Sequence, residues 1–403
     1  MPASSLHRDP YHSFSQSLEQ MSDRGRRRRL VVQRTDGPYL VNGDQARMLN
    51  FGGNDYLGVV AGGPIDASLR PDHVETIPSG ATASALVCGW TPHHQRLADS
   101  IARLEGTEAA VVFPSGYAAC SGTVATLCRE NDLILSDALN HASLIDGCRI
   151  SPAQTIVYPH RDTDRVAELL KQHRDRFEKV WIVTDGVFSM DGTCAPLPEL
   201  VRLARTHDAA LIVDEAHGTG VLGHSGGGLC HAMQLSNEIP IRIGTLSKAI
   251  GHQGGFVAGP RVVIDYLIQF CRTLIYSTAL SPQTAAGAGW VIDHMALWND
   301  RRDHLASLAR HLRSRIGAET SDRFATDLEA GVPIVPIIVG EDQRTVDLSL
   351  RLREQGFYVP AIRPPTVPEG TSRLRVSLSA AHSIEHVDAL LDAYHHILAD
   401  SDG

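Results

Sequence analysis

Between residues 109 and 255 short runs rich in Val and Ile alternate with amphipathic stretches, and that alternation limits the fold more than any other feature of the chain. Ala109–Phe113 reads as a strand, and the small-residue stretch Gly116–Leu127 reads as a helix. A helix over 164–177 leads to a strand over 180–184, and Pro198 opens a helix that ends near 207, where proline suits a first turn. Further strands are expected at 209–213 and 239–244. Apolar strands separated by helices predict a parallel sheet covered on both faces. After about residue 290 the pattern changes: helices at 304–316, 344–354 and 384–399 alternate with strands at 334–339 and 374–379, a smaller α+β lobe. At 403 residues the chain is too long for one hydrophobic core, so several units are expected. They are an N-terminal segment over 1–52, a large domain over 53–292 and a small C-terminal domain over 293–403.

Composition narrows the function classes. A net charge of -9 argues against broad nucleic-acid binding, which needs a basic surface. No run of 18 apolar residues occurs to span a membrane. The N-terminal stretch is polar and arginine-rich, without the apolar core of a secretory signal. Seven cysteines, none in a C-x-x-C pair, read as reduced thiols of a cytoplasmic protein, and no metal site is expected. The run Arg26-Arg27-Arg28-Arg29 is either a solvated start or a contact for an anionic substrate.

Gly218-Thr219-Gly220-Val221-Leu222-Gly223 matches G-x-G-x-x-G but is set aside as a dinucleotide site. Asp214-Glu215-Ala216-His217 separates it from its strand, and the glycine-rich stretch after it is poor helix material.

More informative residues lie on five loops at the ends of the expected strands, the rim where open α/β sheets bind ligands. Asp214 can pair with a protonated pyridine nitrogen, and His217 can reach a ring hydroxyl, although a loop salt bridge would also explain D-x-x-H. Lys248 follows Asp214 by 34 positions, one strand-helix-strand excursion. It is placed between a buried strand and a glycine-rich loop, where desolvation makes an amine nucleophilic. Ser115-Gly116-Tyr117 opens a helix whose free amides can cradle an anion. His141 could stack on a flat ring, and Ser189 could hydrogen-bond one of its substituents. Each has a bland alternative: a surface lysine, an unliganded cap, turn chemistry. Together they supply an amine for an aldehyde, a carboxylate for a pyridinium and a phosphate cradle, which is what pyridoxal 5'-phosphate requires.

These residues also carry a family resemblance. Asn54-Asp55-Tyr56-Leu57-Gly58, Asn140-His141-Ala142-Ser143-Leu144, the stretches 186–192, 213–220 and 245–249, and Tyr276-Ser277-Thr278 resemble the α-oxoamine synthases. Those pyridoxal-phosphate enzymes of fold type I condense an amino acid with an acyl thioester. The resemblance implies an α/β, aspartate-aminotransferase-like large domain, a smaller α+β domain and a homodimer. It implies that Lys248 holds the cofactor covalently, Asp214 its ring nitrogen and His217 its ring oxygen, with His141 stacked on the ring. Gly116, Tyr117 and Thr245 would serve the phosphate, with Thr278 contributed by a partner subunit, and Ser189 would contact the ring oxygen. Arg375 would take the amino-acid carboxylate, and Asn54, Thr366 and Arg27 would bind substrate, Arg27 with a register open by one residue. The stretches 361–368 and 370–375 point to L-alanine and a pimeloyl thioester, carried on coenzyme A or a carrier protein. Alternatives are a sister synthase for glycine or serine, and a non-catalytic scaffold subunit. Two departures are notable: Ser79-Gly80-Ala81-Thr82-Ala83-Ser84-Ala85 replaces a glycine-rich stretch, and Asp185 stands where glutamate is usual.

Overall fold

In the computed structural model, residues 11–43, 46–62, 77–316 and 326–400 are described. Three short antiparallel strands, β1 (Gln33–Asp36), β2 (Tyr39–Asn42) and β3 (Arg47–Asn50), precede the large domain. The large sheet contains β4 (Ala109–Phe113), β5 (Leu133–Asp137), β6 (Gln154–Tyr158), β7 (Val180–Asp185), β8 (Ala210–Asp214), β9 (Ile241–Thr245) and β10 (Gly255–Gly259). Their spatial order is β4-β10-β9-β8-β7-β5-β6. Every residue of β5, β7, β9 and β10 is buried, the signature of strands covered on both faces.

The sheet departs from the parallel arrangement expected. β10 runs antiparallel to both β4 and β9. Only nine residues join Thr245 to Gly255, fewer than the dozen or so that a parallel crossover takes. Gly251 (φ 71°) and Gly254 (φ 131°) turn the chain back in conformations that side chains disfavour. Lys248 therefore lies in a tight return loop.

The polar ends of the central strands also remain in the ladder, beyond the boundaries read from the sequence. Asp185 of β7 is in register with Asp214 of β8, which is followed in the same direction by β9. In-register residues of parallel neighbours present their side chains to one face, so the two carboxyls share a surface. Arg242 on β9 is fully buried and pairs with Glu105 at 2.9 Å. Glu105 ends the helix Pro92–Glu105. Removing either partner of such a buried pair costs about 3–5 kcal/mol, so this bridge fixes the strand that leads to Lys248.

The smaller lobe contains β11 (Ile334–Gly340), β12 (Phe357–Tyr358), β13 (Ala361–Ile362) and β14 (Ser372–Ser377), with the helices Asn299–Ile316, Asp342–Glu354 and Ile384–Ala399. β11, β14 and β13 form one sheet, while β12 pairs with β3. The N-terminal strands are thus built onto the C-terminal lobe. The helix Pro282–His294 runs through the boundary expected at 292, and its buried face packs with Leu97 and Ile101. Among the described residues no helix is long and apolar enough to cross a membrane.

Candidate active site

A cavity of about 230 Å³ opens at the carboxyl ends of β4, β5, β7, β8 and β9. Seven residues singled out in the sequence line it: Gly116, Tyr117, His141, Asp214, His217, Thr245 and Lys248. Sheet register explains the convergence, because Gly255 of β10 pairs with both Phe113 and Thr245. That brings the start of the helix Gly116–Leu127 against the end of β9. A Cβ on Gly255 would lie 2.6 Å from the nitrogen and Cα of Gly116, so only glycine permits this approach.

At that helix start Ser115 is the cap, its Oγ accepting from the Ala118 amide at 3.1 Å. The Gly116 and Tyr117 amides belong to the first turn and have no intrahelical acceptor. They border the cavity and, with the helix dipole, suit a phosphate. Thr245 Oγ1 donates to Gly254 O at 3.0 Å. The Tyr117 hydroxyl turns away to Asp146.

The Lys248 carbonyl accepts the Gly251 amide at 2.9 Å, its amine has no hydrogen-bond partner among the described residues, and burial lowers the amine's pKa against the pull of Asp214 and Asp185. Asp214 is held on both oxygens: Oδ1 accepts from the Ala216 amide at 2.8 Å and Oδ2 from Cys120 Sγ at 3.0 Å. His217 Nδ1 lies 2.7 Å from the Tyr56 hydroxyl. Burial, then the charges of Lys248 and Arg375, push His217 well below the ordinary histidine range, so its ring is neutral. Burial lowers the pKa of His141 as well, helped by Lys248 and opposed by Asp214. The His141 backbone amide donates to Asp185 Oδ2 at 3.1 Å, and its Nδ1 meets Ser143 Oγ at 2.7 Å. Asp185 is driven well above the carboxylate range by burial and then by Asp214, and its Oδ1 is buried without a partner.

Arg375, on β14 of the smaller lobe, is 5% exposed, and its charge acts on His217 and Lys248. It donates to Ser189 O at 2.6 Å, to Ser377 Oγ at 2.7 Å and to Asn54 Oδ1 at 3.2 Å. Through Tyr56, which contacts Asn54 and His217, this cluster joins the cavity wall. No carboxylate pairs with Arg375 among the described residues. The buried guanidinium therefore suits an incoming anion.

Three other expected residues lie outside this cluster. Thr278 is exposed and backbone-paired with Ser84. Thr366 is exposed, and the arginine donating to it is Arg28, at 3.3 Å. Arg27 meets Ser22 Oγ at 3.5 Å, and Arg26 bridges Asp342 and Glu369. The glycine-rich 218–223 stretch wraps Glu215, whose carboxylate accepts the Leu229 and Cys230 amides at 2.9 and 2.6 Å. Those amides open the short helix Gly228–Ala232, whose start is thus filled from within the protein.

Tyr56, Cys120 and Ser143 were not singled out by reasoning from sequence. Cys120 follows Gly116 by four positions on one helix, a spacing that puts both on one face. A second signal was also present: the chain contains only three lysines, and the other two, Lys171 and Lys179, are exposed.

The residues present fit pyridoxal phosphate: free helix amides for its phosphate, a carboxylate for its ring nitrogen and a desolvated amine for its aldehyde. The family model for class I and II aminotransferases matches residues 46–393. An 8-amino-7-oxononanoate synthase of Alkalilimnicola ehrlichii is 44% identical over 371 residues, covering 91% of this chain and 93% of that protein. The solved serine palmitoyltransferase of Sphingomonas wittichii has a TM-score of 0.85 at 28% identity, covering 96% of this chain and 97% of that one. The 8-amino-7-oxononanoate synthase structure from Francisella tularensis gives 0.69 at 26% identity, covering 88% and 99%. With a lysine, an aspartate and a phosphate cradle around one cavity, the chain belongs to the class I and II aminotransferase family of pyridoxal-phosphate enzymes, within its α-oxoamine synthase branch.

Proposed function

We propose that the protein condenses L-alanine with a pimeloyl thioester, releasing carbon dioxide and the free thiol to give 8-amino-7-oxononanoate, a step of biotin synthesis. The observation that carries the reading is the convergence of Lys248, Asp214 and the Gly116–Tyr117 amides on one cavity. The names of relatives 40–44% identical over more than nine-tenths of the chain support the substrate pair.

In this reading Lys248 attaches the cofactor, and the Gly116 and Tyr117 amides hold its phosphate, joined by Thr245 when its hydroxyl turns from Gly254. When bound, pyridoxal phosphate supplies an electron sink conjugated to the substrate Cα. Asp214 would hold the ring nitrogen. Neutral His217, set by Tyr56, would serve the ring oxygen with Ser189, and His141 would cover the ring and exclude water. Arg375 and Asn54 grip the amino-acid carboxylate. The amine of Lys248, neutral more readily because it is buried, takes the Cα proton at Nζ. Thr366, with Arg27 or its neighbour Arg28, meets the distal end of the acyl chain or the phosphates of coenzyme A. The active form is a cytoplasmic homodimer in which Thr278 completes the neighbouring site; the units are those over 1–52, 53–292 and 293–403, the helix Pro282–His294 bridging the last boundary.

Steady-state assays of paired substrates test this. L-Alanine with a pimeloyl thioester should exceed glycine with acetyl-CoA by at least about tenfold in kcat/KM, about 1.4 kcal/mol of transition-state energy. Preference for glycine, or for serine with a long acyl group, would move the protein to a sister activity.

A further inference from the structure

Among the polar residues of the cavity wall that have no part in the chemistry above, Cys120 is the one bonded to Asp214. Cys120 sits one turn into the helix Gly116–Leu127 and is 2% exposed. It lines the cavity, and its Sγ lies 3.0 Å from Asp214 Oδ2. Burial, and then the adjacent charge of Asp214, push the thiol well above the ordinary cysteine range. The contact is therefore an S–H donating to a carboxylate, not two anions side by side.

This bond has two consequences. Asp214 Oδ1 is already held by the Ala216 amide at 2.8 Å. A second donor on Oδ2 stops the carboxylate rotating about its Cβ–Cγ bond and aims its remaining lone pairs. A thiol is a weak donor, so it orients the carboxylate without drawing off the charge a pyridinium needs. Cys120 also shares its helix with Gly116, four residues earlier, so one rigid element touches both the phosphate end and the ring-nitrogen end of the cavity.

We propose that Cys120 is a positioning residue that fixes the Asp214 carboxylate plane for the cofactor's ring nitrogen. The inference rests on the reading of Asp214 given above.

The test uses the full-length protein stripped of cofactor and reloaded with pyridoxal phosphate. Cys120→Ala should weaken cofactor binding about five- to tenfold, below the range for an ordinary hydrogen bond to a charged group because a thiol is a weak donor. It should also shift the pH midpoint of the bound cofactor's absorbance band. Cys120→Ser, which keeps a donor in nearly the same volume, should restore the midpoint and most of the affinity.

A Cys120→Ala protein with affinity and midpoint within twofold of wild type would overturn the proposal. So would equal damage from Ala and Ser, which would mean that packing alone matters. Should Cys120→Ala fail to fold, Cys120→Val, which fills the volume without a donor, takes its place in the comparison with Cys120→Ser. Asp214→Asn separates the two readings. If it moves the absorbance band and Cys120→Ala does not, only the role of Cys120 fails. If Asp214→Asn leaves the band unchanged, the reading of Asp214 fails first.

Discussion

Replacing Arg375 by lysine should weaken amino-acid binding while leaving the cofactor in place. The guanidinium makes three close bonds, all to neutral acceptors: Ser189 O, Ser377 Oγ and Asn54 Oδ1. Its charge is desolvated and carries no counter-ion among the described residues, so a substrate carboxylate would be its first ionic partner. Lysine keeps the charge but loses the planar fork that grips a carboxylate with two parallel bonds. One hydrogen bond to a charged group is worth about 1.5–3 kcal/mol, or about 10- to 150-fold. The amino-acid KM should rise by that factor at saturating thioester. Cofactor affinity, read from absorbance titration, should stay within about twofold, and thermal unfolding checks that the fold is intact. An unchanged amino-acid KM with a reduced kcat would refute the carboxylate role. Parallel loss of cofactor would show that Arg375 holds the site together instead.

Asp214→Asn should fold and bind pyridoxal phosphate yet lose at least about 100-fold in turnover, because a neutral amide no longer favours a protonated ring nitrogen; a wild-type rate would dismiss the assignment. Mixed Lys248→Ala and Thr278→Ala chains should recover up to about a quarter of wild-type activity after subunit exchange, since half of a random mixture is hybrid dimer with one intact site. No recovery, or a fully active monomer on sizing chromatography, would argue against a shared site. Stability should fall as pH drops from 6.5 towards 4, because burial lowers the pKa of His382 from 6.5 to about 4. The unfolded chain takes up this proton first, so the loss grows to about 3 kcal/mol by pH 4. His382→Phe, packed on Phe51, should remove that slope in chemical-denaturation titrations.

The elements most legible in sequence carry strong local signals. The helix Ile384–Ala399 has the boundaries its periodicity predicts, because Ser383 Oγ accepts the His386 amide and the Ser383 amide donates back to His386 Nδ1. Ala109–Phe113 and Gly116–Leu127 are equally direct, an apolar run and then a serine cap. The direction of β10 was not legible from apolar content alone, since a buried antiparallel strand reads like a parallel one. Its clue was the length of the loop before it. Pairing of β3 with β12 joins residues about 300 apart, a link no local pattern carries. At the site, residues one loop apart could be grouped by sheet logic. Tyr56 and His217, or Cys120 and Asp214, meet only through tertiary packing, 161 and 94 positions apart. The arginine run exposes the same limit: composition marks the basic cluster, while only packing separates Arg26, held by Asp342, from Arg28 beside Thr366.

Covalent attachment at Lys248 is central to the proposed chemistry, and the scarcity of lysine makes it directly measurable. The cofactor-loaded protein is reduced with borohydride, digested and mapped by peptide mass. One pyridoxyl-modified lysine is expected, at position 248, and none at Lys171 or Lys179. Modification at either of those exposed residues with Lys248 unmodified, or no stable adduct after reduction, would contradict it.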